Sequence, residues 1–274
     1  MKFKISTFVK TLILFGLTQI LGIYLAMQIL PAIGVQTISA SSFSLGDFIY
    51  LAAIVFLFFF FSIKYPRVGS AIYRVFLSLV IFAAMETFAS IWLDPLSSLC
   101  LALAVLIIFW LWQSVIVQDV VMIITLGAVG AIFGLSLTPI TVVYILIIFS
   151  AYDIFAVYVT GHMVKMAEAM IKSRAIFGFI IPSSVKDFGN RMQTVQPGEQ
   201  FMVLGSGDVI FPLILTVSLV RTSLTQALIV FVFSLLGILV THLIFVNQKV
   251  RRPMAALPPI ATLTIIGYLV SRLF

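Results

Sequence analysis

Nine apolar stretches dominate this chain: 8–30, 47–64, 71–93, 96–114, 120–137, 139–160, 201–220, 225–246 and 255–273. Each is long enough, or nearly so, to cross a bilayer as a helix, which takes about 20 residues. The runs are continuous and lack the alternation of a barrel strand, so the spanning elements are helices. The surface agrees: 9% of the residues are charged and 62% are hydrophobic. A water-soluble domain carries about 25% charged residues, so most of this surface must face lipid. The sequence predicts an all-α membrane protein with nine transmembrane helices.

The break between the fifth and sixth spans rests on Leu137-Thr138-Pro139, because proline lacks a backbone donor and favours a helix start. The N-terminus carries Lys2, Lys4 and Lys10 before an apolar run, as a signal peptide would. That run is too long for a signal core, and no small-residue cleavage site closes it before Pro31, so it is read as the first span. The chain reads as one membrane domain, 1–274: spans one to six in 1–160, a loop in 161–200, spans seven to nine in 201–274. The loop opens on an amphipathic pattern, with Met163, Met166, Ala167 and Met170 at helical spacing. Pro197-Gly198 marks a turn before span seven.

Nine spans with the N-terminus inside put fourteen of the sixteen Lys and Arg residues on the cytoplasmic side, leaving Arg221 and Arg272 opposite. That is the positive-inside distribution. It accounts for the net charge of +7 as orientation and headgroup contact, with no nucleic-acid partner. It expects a cell-membrane protein with the N-terminus and loop 161–200 cytoplasmic and the C-terminus outside. A single cysteine, Cys100, rules out an internal disulfide. His162 and His242 are the two histidines and no HExxH occurs, which disfavours a zinc protease, so no metal site or cofactor is expected.

Each acid inside a span needs a reason. Asp47, Asp94 and Asp119 fall at predicted span ends and need none. Glu86, well inside span three, has no assigned role. Asp153 lies seven residues before the predicted cytoplasmic end of span six. Asp208 lies seven residues after the predicted start of span seven. At about 1.5 Å per residue both sit about 10 Å deep, so two antiparallel helices bring the carboxyls to one level. Carboxyls sharing a site hold one proton between them, a base for water and an acid for a leaving amine. Gly205 and Gly207 leave room beside Asp208 for another backbone. Depth and charge alone fit a protease and a proton- or cation-coupled transporter or channel equally well.

Motifs separate the two. Tyr152-Asp153 in span six and Gly205-Ser206-Gly207-Asp208 in span seven resemble the YD and GxGD motifs of the presenilin and signal peptide peptidase family. The start of span nine, Ala255-Ala256-Leu257-Pro258, resembles the family's PAL motif, with alanine in place of the first proline. The short loops resemble the archaeal members most. The resemblance implies helices one to six in a horseshoe around seven to nine. It implies Asp153 and Asp208 as the catalytic pair of an intramembrane aspartyl protease that cuts transmembrane segments without a cofactor. Tyr152, Gly205, Ser206, Gly207, Ala256, Leu257 and Pro258 would wall the site. The orientation read from charge is that of presenilin and opposite to signal peptide peptidase. Presenilin works within a complex, whereas the compact loops here favour an enzyme active without accessory subunits. A rhomboid-like pairing of Ser206 with His242 fails the GxSG pattern, because Leu204 occupies its first position. Prepilin peptidases also use GxGD but lack the YD and PAL placement.

The charge split generates a direct test. Single cysteines placed along 161–200 should react with a membrane-impermeant reagent only from the cytoplasmic face; labelling from outside would reverse the orientation.

Overall fold

Helix caps punctuate the chain where the apolar runs break. The computed structural model describes residues 5–33, 46–47, 49–50, 53–54, 66–192, 201–248 and 254–273. Its helices are α1 (Ile5–Ile33), α2 (Pro66–Ala89), α3 (Pro95–Leu111), α4 (Val115–Ser136), α5 (Pro139–Ile154), α6 (His162–Ser173), α7 (Ser206–Ser218), α8 (Leu224–Val246) and α9 (Leu257–Ser271). Asp94 caps α3, accepting from Ser97 N–H at 3.2 Å, and Pro95 follows at the first helical position. Hydrogen bonding to Ser97 holds the Asp94 carboxyl below the usual carboxylate range. The break expected at Leu137-Thr138-Pro139 is present. Leu137 closes α4, the Thr138 side chain accepts from Thr141 N–H, and Pro139 opens α5.

Five of the described helical segments are long and apolar enough to cross a membrane: Ser6–Pro31, Gly69–Ala89, Val115–Ser136, Pro139–Val159 and Leu224–Val246. Pro95–Leu111, Ser206–Ser218 and Leu257–Ser271 are shorter apolar helices. Of the expected second span, 47–64, only Asp47, Ile49, Tyr50, Ala53 and Ile54 are described, all helical. The rest of it lies outside the described residues, as does the turn at Pro197-Gly198.

Helix α7 is the buried centre. Pro212 to Ser218 are all buried, and α1, α4, α5, α8 and α9 pack around them. Small residues let these neighbours close in. Leu213, fully buried, fills the notch left by Gly22 of α1 and Gly130 of α4, where a Cβ would overlap its side chain. Beyond α4 lie α2 and α3, and α9 lies along α8.

Phe201–Gly205 departs from the helix expected to begin at 201. These residues form a strand, β2, paired antiparallel with β1 (Gly178–Pro182) in the register Gly178↔Gly205 to Pro182↔Phe201. A Cβ on Gly178 would collide with the Leu204 carbonyl oxygen, so the tight pairing needs glycine there. Thirteen residues of α7 make a helix about 20 Å long, shorter than a hydrocarbon core about 30 Å thick. An extended strand adds about 3.3 Å per residue. Non-helical backbone at membrane depth is tolerated where protein buries it or where it lines a water-filled cavity.

Other expectations shift by a turn. Helix α2 ends at Ala89, which puts Glu86 in its last turn, half-buried, rather than deep in the span. Helix α4 begins at Val115, so Asp119 lies inside it and is 2% exposed. In α6 the inward face is Met166, Ala169, Met170 and Ser173, whereas Ala167 is exposed.

A close backbone approach between two helices gives a stability prediction. A Cβ at Gly237 of α8 would stand 2.8 Å from Ile260 Cα and 3.1 Å from its carbonyl oxygen, both backbone atoms of α9. Backbone cannot rotate aside, so Gly237→Val should cost about 1–3 kcal/mol. A thermal melt in detergent should show a clearly lower midpoint; an unchanged one would contradict the crossing.

Candidate active site

The YD, GxGD and PAL-like segments, far apart in sequence, converge at one end of the bundle. Asp153 comes from the last turn of α5, Asp208 from the first turn of α7, and Leu257 opens α9. Asp153 is 5% exposed although its neighbours Tyr152 and Ile154 are exposed. The inward face of α5 runs Val142, Ile145, Leu146 and Asp153, so helical phase alone aims this carboxyl into the protein.

Its two oxygens are treated differently. Oδ2 accepts from the Leu257 backbone N–H at 3.2 Å. Oδ1 is buried and has no hydrogen-bond partner among the described residues. That N–H is available because it belongs to the first turn of α9, where a helix has no internal acceptor for it. Immediately after Asp153, α5 continues as a π turn, Phe155–Val159, with Thr160 N–H reaching back to the Phe155 carbonyl. Single π turns inside helices recur at functional sites. Gly161 then adopts φ +61°, and the chain turns into α6.

Asp208 is 8% exposed and lies near enough to Asp153 for the two charges to interact. It sits where β2 becomes α7. A Cβ on Gly205 would stand 3.2 Å from Asp208 Oδ2, so glycine leaves the carboxyl its place. A Cβ on Gly207 would touch the Phe211 ring at 3.4 Å. Ser206 is half-buried, and its backbone N–H bonds the Phe177 carbonyl at 3.1 Å, extending the ribbon by one rung. Ala256 caps α9 and Pro258 lies in its first turn. Tyr152 meets Phe149 edge-on at a ring separation of 6.4 Å. Phe149 in turn packs on Phe211 at 4.6 Å and ties α5 to α7. His242 packs on Phe8 of α1 at 4.6 Å. No cluster of three or more potential metal ligands occurs among the described residues.

Sequence reasoning missed four buried polar residues, three of them bonded to the same ribbon and one, Gln19, to α7. From sequence, Lys10 reads as an orientation charge and Asp119 as a span-end acid. Both are buried, at 9% and 2% exposure. Lys10 donates to the Pro182 carbonyl at 2.8 Å and Asp119 accepts from Ile180 N–H at 2.8 Å. Gln118 donates to the carbonyls of Ile176 and Gly178 at 2.8 and 3.2 Å. Gln19 of α1 donates to the Val209 carbonyl of α7 at 3.3 Å. The available signal was a polar side chain inside an apolar run, where lipid contact is costly.

The family described as signal-peptide peptidase, presenilin aspartyl protease matches residues 11–274. The chain belongs to this family. It is an intramembrane aspartyl protease, which decides against a transporter and against a serine protease. Two solved structures of a presenilin family intramembrane aspartate protease, in space groups C222 and P2, are similar to it throughout. Each is 26% identical. The first covers 96% of this chain and 95% of its own, with a TM-score of 0.64; the second covers 96% of both, with a TM-score of 0.65. No curated protein matches.

The crowding at Gly205 gives a test of the protease's geometry. Gly205→Val forces branched carbons against the Asp208 carboxyl and should lower cleavage of a transmembrane peptide about 100-fold. The thermal midpoint should change little. Wild-type turnover would mean that Asp208 is not held where the geometry has it.

Proposed function

We propose that Asp153 and Asp208 are the catalytic dyad of this protease. The convergence of the three motif segments on two buried carboxyls carries the proposal. One carboxylate takes a proton from water, and the resulting hydroxide attacks the scissile carbonyl carbon. The other carboxyl, in its acid form, donates its proton to the leaving nitrogen as the C–N bond breaks. The products are a carboxylic acid and an amine, and the dyad again holds one proton. The Leu257 N–H steadies one oxygen of Asp153 and leaves Oδ1 for water or for the partner acid.

The substrate is a transmembrane segment of another protein, delivered from the bilayer. A helix keeps its carbonyls in internal hydrogen bonds, so it must unwind locally before attack. The wall formed by Tyr152, Gly205, Ser206, Gly207, Ala256, Leu257 and Pro258 then receives the extended segment. We read the chain as nine spans, with helices one to six in a horseshoe around seven to nine. The N-terminus and the 161–200 loop are cytoplasmic and the C-terminus is outside, as the charge split favours. The compact loops favour an enzyme that works without accessory subunits.

Purified protein incubated with a transmembrane peptide tests the dyad. Asp153→Asn and Asp208→Asn should each reduce cleavage at least about 1000-fold while the protein stays folded in detergent. Ser206→Leu should still cut. Full activity in either asparagine variant would refute the dyad.

A further inference from the structure

The ribbon beside the dyad has two edges, and the protein closes one of them from within. In an antiparallel ladder, successive residues alternate between facing the partner strand and facing away. The Gly178 carbonyl and the Ile180 N–H face away from β2, because Gln118 and Asp119 hold them. The same outward edge continues to Pro182. Proline has no N–H to offer there, and its carbonyl takes the Lys10 ammonium. Lys10 also lies 5.5 Å from the centre of the Phe188 ring. Three side chains from α1 and α4 therefore occupy the outer edge of β1 along its length.

Across the ladder, Val203 pairs with Ile180 and Gly205 with Gly178, so their outward groups point away from β1 on the opposite edge. That edge leads straight to Asp208, whose carboxyl abuts Gly205. An exposed strand edge is a template for another strand. A side chain that caps one edge decides where the added strand goes.

We infer that Asp119, with Gln118 and Lys10, forms a clamp on the outer edge of β1 that fixes the height of the ribbon against the dyad and thereby sets which peptide bond of the substrate is cut. These are positioning residues, acting on the substrate through β1 and β2. Asp119 is the keystone. It is 2% exposed inside an apolar helix, and its Oδ2 has no partner among the described residues. A buried acceptor left half-satisfied is a costly way merely to fill space. Its one bond goes to the Ile180 N–H, midway along the strand. A strand that slips by one residue turns every side chain to the other face, so the ribbon's register needs a fixed anchor.

The inference rests on the dyad proposed above, and its test keeps the two apart. Full-length protein would be given a transmembrane peptide, with rates and product masses recorded for wild type, Asp208→Asn, Asp119→Leu, Asp119→Asn and Lys10→Met. Asp119→Leu removes the acceptor and keeps a side chain branched at the same carbon. It should lower kcat/KM about 10- to 100-fold and spread the cleavage over bonds neighbouring the wild-type one. Asp119→Asn keeps an acceptor oxygen for Ile180 N–H and should restore the single wild-type site. Lys10→Met, which frees one end of β1, should spread the products less; it also decides the matter if Asp119→Leu does not fold. Cleavage at the wild-type bond alone in both Asp119→Leu and Lys10→Met, at whatever rate, would overturn the clamp. Should Asp208→Asn still cut at the wild-type rate, the dyad is what has failed.

Discussion

A carboxylate drawn into an apolar interior persists only where protein dipoles replace the water it has lost. Much of this structure follows from meeting that demand for Asp153 and Asp208. Asp153 needs an unspent backbone donor, and the first turn of a helix is the nearest reliable source. Helix α9 therefore begins at Leu257, beside Asp153, with its N–H 3.2 Å away. The prolines at 258 and 259 fit the same place, since the missing N–H groups of a first turn are no loss. Asp208 occupies the first turn of α7, where the helix dipole favours negative charge. Each acid thus meets the start of a helix, Asp153 that of α9 and Asp208 that of α7, where the first turn still has N–H groups to offer.

The same demand explains why the chain leaves the helical regime at this end of the bundle. A helix carried through 201–205 would leave no extended backbone beside Asp208. The ribbon supplies it, and then needs partners of its own. Gln118 and Asp119 of α4 and Lys10 of α1 meet that need on the β1 side. Glycine appears where two backbones or a backbone and a carboxyl come closest, at Gly178 against Leu204 and at Gly205 against Asp208. Water-dependent chemistry inside a membrane requires a water-tolerant wall, and a satisfied ribbon at the end of α7 is one.

Much of this was legible in the sequence. Apolar runs gave the helices, Thr138-Pro139 gave the sharp break between α4 and α5, and three short motifs brought Asp153, Asp208 and Leu257 into one site. The strand at Phe201–Gly205 was not legible, because Phe-Met-Val-Leu reads equally as the start of an apolar helix. Only its partner, 23 residues earlier at Gly178–Pro182, settles the matter, and no local pattern reports a pairing at that distance. The apolar run starting at 120 makes Asp119 look like a boundary acid; five more residues of helix bury it. Lys10 looks like a headgroup cation in sequence, because charge counting does not reveal which cations find a carbonyl in the protein. Boundaries of a few residues thus decided which polar groups looked functional.

The account stands on Asp153 and Asp208 acting as one unit. A hydroxyl-bearing peptide isostere of the tetrahedral intermediate probes that directly, since its hydroxyl sits where both carboxyls must reach. Binding of such an isostere to the purified wild-type protein should be tight. It should weaken by a similar large factor in Asp153→Asn and in Asp208→Asn, with no further loss in the double variant. Undiminished binding in either single variant, or losses that simply add, would mean that the two carboxyls do not share a site.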